Sequence, residues 1–298
     1  MTYRPMPKFE TGLRELGDGI YAYLQWDGGW GISNAGFLDG GDGLLVIDAL
    51  MAPHMTRAFV DVMRDVSSAP FRQLVNTHMH PDHTNGNQFI EGAEIVATEA
   101  CRQEMLDAAE AAAAAAAQRE PGDRGPRPGW IDDAWWEDLA EVVPTPPTKT
   151  FAESMTLQYG ATEVQLLHYG PAHTLGDALV YFPDSKLLFT GDLAFFYSMP
   201  LCRGDMENWV RVCDIIEGMD IETIIPGHGP PGGKRELEDM REYLAFMVEQ
   251  TRDAFENGLT PEQAAAAIDI GDWAQWPEAE RKEMNIATLY ATFEAERA

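Results

Sequence analysis

Apolar residues recur along the chain with two different periods. In GIYAYLQW and AGFLDGGDGLLVID they alternate or run on over short spans between glycines, the pattern of half-buried and buried strands. Asp42-Gly43 inside the second run is a hairpin signal. MAPHMTRAFVDVMRDV follows with apolar positions at helical spacing, and RQLVNT is a β-like run that ends at a group of histidines. AEIVATE reads as a further strand and leads into a long helix through EMLDAAEAAAAAAAQRE. Strands and helices thus alternate in the first half.

The alternation breaks at PGDRGPRPG, a tryptophan-rich piece, WIDDAWWEDL, and PTPPT. Proline and glycine at this density predict a loop-rich stretch here, inside a helical insert over about residues 101–150. The same grammar then returns: MTLQYG and EVQLLHY as strands, ALVYFP and KLLFTGD around a Pro-Asp-Ser turn, a helix from about Met206 to Met219, and the strand TIIP. From Lys234 the pattern is helical, with Gly258 and Pro261 separating two pieces. No repeat of fixed period is visible, which excludes a solenoid. The expected organisation is a catalytic domain over residues 1–233 and a C-terminal helical extension over 234–298. Two halves, each strands then helix, predict an α/β architecture of two sheets packed face to face with helices outside. The histidine-bearing loops follow strands in both halves, where a rigid scaffold commonly presents its chemistry.

Composition narrows the partners. Asp and Glu total 49 against 21 Lys and Arg, a formal charge of −28 in 298 residues. Such a surface repels phosphate backbones and anionic membranes, so nucleic acid and membrane are excluded as expected partners. Cys101, Cys202 and Cys213 are too few and scattered for a disulfide framework or a thiolate zinc site, and read as buried reduced thiols. The first residues carry no apolar export segment, and no run approaches the ~20 apolar residues of a membrane span, so the expected location is cytoplasmic.

Seven histidines occur in the chain, and three of them, with an aspartate, crowd into THMHPDH. His78 and His80 are two apart, so in an extended segment their rings project the same way. Pro81 breaks the extension and turns Asp82 and His83 towards the same volume from another side. His173 in GPAHTLGDALVY and His228 in IIPGHGP lie in turns after β-like runs, and Asp192 closes LLFTGD. Five histidines and two aspartates suffice for two metal ions with a shared carboxylate. His54 and His168 have no ligand-type residue spaced with them and read as structural or surface groups.

THMHPDH, GPAHTLGD, FTGD and PGHG occur in the order and approximate spacing of the metallo-β-lactamase-fold hydrolases, and the chain resembles that family over Gly19 to Gly229. VID, ending at Asp48, resembles the family's first, structural motif. The resemblance implies a four-layer αββα sandwich with a dinuclear metal site at one edge. It implies His78, His80 and His173 on one metal, Asp82, His83 and His228 on the other, and Asp192 between them. Many true β-lactamases carry cysteine or serine where this chain has Asp192; the pattern is closer to glyoxalase II-like thioesterases, lactonases and SoxH-like hydrolases.

Two zinc ions, with iron or manganese as the alternatives, then imply hydrolysis of an acyl bond in a thioester, ester or lactone by a metal-bridging hydroxide. Asp82 is the expected group to orient that hydroxide and carry a proton. Tyr197 is a candidate oxyanion donor, by analogy with a tyrosine in related lactonases. Trp26 and Trp30 in QWDGGWG form a candidate flap, and Trp130, Trp135 and Trp136 a candidate lid or dimer contact. The expected partner is a small molecule with an apolar or aromatic portion, with a homo-oligomer as a further expectation. Apart from Lys234 and Arg235 there is no cationic cluster to grip glutathione. The alternatives are a mononuclear-iron, persulfide dioxygenase-like oxidoreductase, and then a phosphodiesterase or a β-lactamase.

Overall fold

The computed structural model describes residues 4–120 and 122–297. Pro121, at the head of the proline- and glycine-rich break, lies outside the described residues, as do the ends of the two expected domains at residues 1–3 and 298.

One sheet has seven strands in chain order: β1 (Gly12–Gly17), β2 (Ile20–Leu24), β3 (Ala35–Asp39), β4 (Leu44–Ile47), β5 (Phe71–Val75), β6 (Glu94–Thr98) and β7 (Lys149–Phe151). Its first four strands pair antiparallel, and β4 to β7 pair parallel. Helix α1 (Pro53–Val66) makes the first parallel crossover, and the one-turn α2 (Pro81–Thr84) follows β5. Helix α3 (Glu99–Ala116) follows β6, and α4 (Asp133–Asp138) lies within the insert. The second sheet holds β8 (Ser154–Tyr159), β9 (Thr162–Leu167), β10 (Leu179–Phe182), β11 (Leu187–Phe195) and β12 (Thr223–His228), in the order β12-β11-β10-β9-β8. Helix α5 (Met206–Gly218) joins β11 to its parallel neighbour β12. The helices α6 (Lys234–Glu256), α7 (Pro261–Ala267) and α8 (Arg281–Arg297) complete the chain.

Three apolar clusters define the layers. Ile20, Leu45, Val75 and Val96 of the first sheet meet Val164, Val180, Phe182 and Phe189 of the second. On the outer face of the first sheet, Phe37, Val46 and Leu74 pack against Phe59 and Met63 of α1. On the outer face of the second, Leu188 and Phe195 share a cluster with Trp209 and Ile216 of α5, Met240 and Leu244 of α6, and Leu289 and Phe293 of α8. Burial on both faces explains why β3, β4 and β11 read as near-continuous apolar runs. The result is the expected αββα sandwich.

Four features differ from the expectation. β1 lies in the polar start of the chain, with no fully buried residue, because it is an edge strand held by its ladder to β2. β7 is too short for a period to show. Within the helical insert, the stretch that reads as loop carries a short helix: Asp132 accepts a hydrogen bond from the Trp135 amide at 2.8 Å and starts α4. Beyond Pro261 the chain forms two helices instead of one, with a 3-10 turn at Gly271–Gln275 between them.

Candidate metal centre

The site forms where the carboxyl ends of β5, β11 and β12 meet. After β5, Asn76 and Asn87 exchange side-chain amide hydrogen bonds at 2.9 and 2.8 Å, closing the loop that carries the three histidines. Asp48, just past β4, accepts from the Thr77 amide, the Thr77 hydroxyl and His83 Nδ1, each at 2.8 Å. His80 keeps an extended backbone, and Pro81 at the first helical position starts α2, which swings Asp82 and His83 to the other side. Asp192 lies within the wholly buried β11. A Cβ on Gly227 would stand 2.0 Å from Asp192 Oδ1, so only glycine lets β12 pass this carboxylate. Asn34 Nδ2 donates to the carbonyls of Pro226 and Gly229 at 2.9 and 2.8 Å and fixes the loop that bears His228.

Each imidazole is oriented by what its other nitrogen does. His173 Nδ1 donates to the Leu201 carbonyl at 2.5 Å, and His228 Nδ1 is 3.1 Å from the carbonyls of Gly28 and Ile32. His78 Nδ1 faces the Thr77 hydroxyl at 3.1 Å. These contacts leave Nε2 of His78, His83, His173 and His228 facing the site, as metal-ligating histidines commonly do. His80 presents Nδ1, which lies 3.1 Å from His78 Nε2 and 2.9 Å from His173 Nε2. Phe195 stacks on the His228 ring at 4.9 Å and locks its rotation.

Two sets of ligand-type atoms result. His78, His80, His173 and Asp192 form one, and Asp82, His83 and His228 the other, the atoms of each set lying within 4.8 Å of one another. Asp192 reaches both: Oδ2 is 3.3 Å from His173 Nε2, while Oδ1 is 3.1 Å from His83 Nε2 and 3.4 Å from His228 Nε2. Asp82 Oδ2 stands 3.3 Å from His228 Nε2.

The electrostatics suit cations. Burial, reinforced by His83, drives His78 well below its ordinary pKa, and burial with His173 brings His80 to about 3, so both offer neutral lone pairs. Burial opposes ionisation of Asp192, yet His228, His83 and His78 outweigh it and hold the carboxyl well below its usual range. Burial likewise disfavours ionised Asp82, but His83 and His228 prevail. Burial also works against charge on His83 and His228; their neighbouring aspartates raise His83 well above its usual value and bring His228 to about 9. Despite this charge pairing, His83 Nε2 and Asp192 Oδ1 are buried without a hydrogen-bond partner. Orphaned buried atoms aimed at a common point, in an N/O donor set, fit divalent metal ions.

The sequence profile of the metallo-beta-lactamase superfamily matches residues 28–228, which span every histidine and aspartate of the four motifs. The chain belongs to this superfamily. Relatives include the linear primary-alkylsulfatase of Pseudomonas sp. (strain ATCC 19151), 22% identical over 77% of this chain and 48% of its own length. Another is the acyl-coenzyme A thioesterase MBLAC2 of Gallus gallus, 28% identical over 52% of this chain and 55% of its own length. The chain therefore spans about half the length of the curated relatives it matches. Among solved structures, the sec-alkylsulfatase Pisa1 from Pseudomonas sp. superposes with a TM-score of 0.69 at 20% identity, over 95% of this chain and 50% of that one, a likeness of fold.

Beside this superfamily site opens a cavity of about 180 Å³. Asp82, His80, His173, Asp192 and His228 form its floor, and Met51, Phe195, Leu201, Trp30 and Trp130 its walls. Trp30 and Trp130 stack with ring centres 6.2 Å apart, so the flap and the insert meet at the mouth. Trp26 is exposed and packs on Phe9 instead, Trp135 meets Trp130 edge-on behind the cavity wall, and Trp136 lies under Arg124.

Tyr197 is a correction to the sequence reading. The chain turns at this residue with φ +61°, and the hydroxyl donates to Glu236 at 3.2 Å in a separate hollow with Arg4 and Asp239. It does not line the metal cavity. His54 pairs with Asp138 at 2.7 Å, and His168 Nδ1 donates to the Asp177 carbonyl at 2.7 Å, both away from the ligand sets.

Sequence reasoning missed Arg281, which is buried in the cavity wall. Burial pulls its guanidinium below the ordinary arginine value, against the pull of Glu278, Asp192 and Asp82. Its signal was faint: Arg281, Asn285 and Leu289 recur every fourth position on the buried face of α8, which puts an arginine in a core stripe.

Proposed function

We propose that the chain is a dinuclear-metal hydrolase of an acyl bond, in a thioester, ester or lactone, within a small molecule that has an apolar or aromatic portion. The observation that carries this reading is Asp192, one oxygen of which faces each imidazole set. One ion would be held by His78, His80, His173 and Asp192, the other by Asp82, His83, His228 and Asp192. Two divalent ions, zinc in this reading, supply Lewis acidity there and lower the pKa of water towards neutrality.

The chain's own residues do the rest. Asp82, whose side chain is 15% exposed, borders the cavity floor and is the group placed to take a proton from attacking water and return it to the leaving atom. Asp48 and the Leu201 carbonyl keep His83 and His173 in their orientations. Trp30, Trp130 and Phe195 shield the floor from bulk water and receive the apolar part of the substrate.

MBLAC2 among the relatives supports the thioester branch. A second reading, hydrolysis of a sulfate ester, is favoured by the buried cation Arg281 on the cavity wall and by the alkylsulfatases among the relatives. Elemental mass spectrometry on protein purified without added metal, followed by a chromogenic panel of thioesters, esters, lactones and sulfate esters, tests both. About two zinc per chain with acyl turnover is the expected result. One iron per chain with oxygen consumption on a persulfide would overturn it.

A further inference from the structure

The last helix brings to the cavity a charge that the metal-site chemistry does not use. Arg281, the first residue of α8, is 2% exposed, yet its side chain lines the same cavity as His80, Asp82 and His228. It lies beyond the segment that carries the superfamily motifs. Nη1 donates to the Met199 carbonyl at 2.7 Å, and the guanidinium lies over the Trp30 ring at 4.1 Å. Nε is buried without a hydrogen-bond partner, and among the described residues no carboxylate stands within ion-pair distance of the group.

An arginine stays protonated at neutral pH, and a buried charge without a counter-charge is strongly unfavourable. The chain has 49 acidic side chains, yet the two glutamates that act on this guanidinium do so without an ion pair: Glu280 accepts from Trp30 Nε1 at 3.1 Å, and Glu278 acts only at longer range. A purely structural group would be satisfied by the Met199 carbonyl and the Trp30 face. The unpartnered Nε and the shared cavity call for an anion from outside the chain. A guanidinium fork matches the planar or tetrahedral oxygens of a carboxylate or a sulfate.

Resting on the hydrolase reading of the site, we infer that Arg281 is the receptor for an oxyanion on the substrate. The substrate is then an amphiphile, with a sulfate or carboxylate group against Arg281 and an apolar or aromatic body against Trp30 and Trp130. Arg203, exposed at the rim of the same cavity, draws such anions to the mouth of an otherwise acidic molecule.

Calorimetric binding to the metal-loaded full chain tests this with three ligands of one alkyl length: an alkanesulfonate, an alkanoate and the neutral methyl alkyl sulfone. The wild type is expected to bind one anion at least about tenfold more tightly than the sulfone. Arg281→Gln, which keeps a donor for the Met199 carbonyl, is expected to lose that margin and to bind the sulfone within about twofold of wild type. Preference for the sulfonate assigns a sulfate ester, and preference for the alkanoate a carboxylate-bearing substrate. No discrimination by the wild type overturns the inference, and an unchanged margin in folded Arg281→Gln overturns it and leaves the metal ions as the anion receptor. Should the glutamine variant not fold, Arg281→Lys decides: loss of the planar fork must shrink the margin, and an undiminished one overturns the inference. Binding is read without turnover, so a protein that hydrolyses none of the panel fails the proposed function alone.

Discussion

Asp82 faces the cavity, and its backbone is held by Ser33, whose hydroxyl donates to the Asp82 carbonyl at 2.5 Å. Replacing the side chain should therefore leave the loop in place. Asp82→Ala is expected to lower kcat by about a hundredfold or more, as loss of a positioned proton carrier does, with little change in the unfolding midpoint. Steady-state rates on a protein checked for full metal content measure this, and wild-type turnover would remove Asp82 from the mechanism. The histidines and aspartates of the site were legible in the sequence because they crowd into four short motifs, THMHPDH, GPAHTLGD, FTGD and PGHG, whose ligand-type residues occur in one order along the chain. Arg281 was not, since its partners Met199 and Trp30 lie 82 and 251 positions away and nothing local distinguishes it from the charged residues around it. Tyr197 was misplaced for the converse reason: its nearness to Asp192 in sequence says nothing of the left-handed turn that sends its ring elsewhere.

At the scale of elements, the parallel pair β11 and β12 carries the shared aspartate and the last histidine, and its close approach depends on Gly227. Gly227→Ala puts a methyl 2.0 Å from Asp192 Oδ1 and 2.8 Å from the Gly191 carbonyl carbon, so either the strand or the carboxylate must move. Destabilisation of about 1–3 kcal/mol by overpacking is expected, together with loss of bound metal. Gly218→Ala is the control of opposite sign. It lies at the end of α5 with nothing within 4 Å of its Cβ, and alanine there should stabilise by about 0.5–1 kcal/mol. Denaturant midpoints compare the two, and equal effects would mean that the β11–β12 contact is looser than described. The long amphipathic helices and buried strands were readable because period and burial agree. β1, β7 and α4 were not, because an edge ladder, a three-residue pairing and a single cap hold them, and none of these leaves a periodic trace.

The whole molecule carries −28 formal charges, and two opposing electrostatic effects follow from that figure. Exposed ion pairs such as Arg72–Asp42 at 3.2 Å and Lys149–Glu94 at 3.2 Å stabilise the fold and weaken as salt screens them. Repulsion among the excess carboxylates destabilises the compact state, and salt relieves it. Even if every one of the 21 cations were paired, 28 acidic groups would remain. Each exposed pair contributes less than about 1 kcal/mol, and its loss on screening is partial. Repulsion acts between many groups at once, over distances comparable with the ~10 Å screening length at 0.1 M salt. The relief of repulsion should win, so the melting temperature is expected to rise with sodium chloride from low ionic strength upward. With a net charge of −28 the molecule is expected to repel polyanions, and the same scans with added heparin should be superimposable on those without it. A melting temperature that falls with salt would mean that the ion pairs outweigh the excess charge. The acidic surface would then be a set of local networks rather than a field, and electrostatic guidance of an anionic substrate past it by Arg203 would lose its rationale.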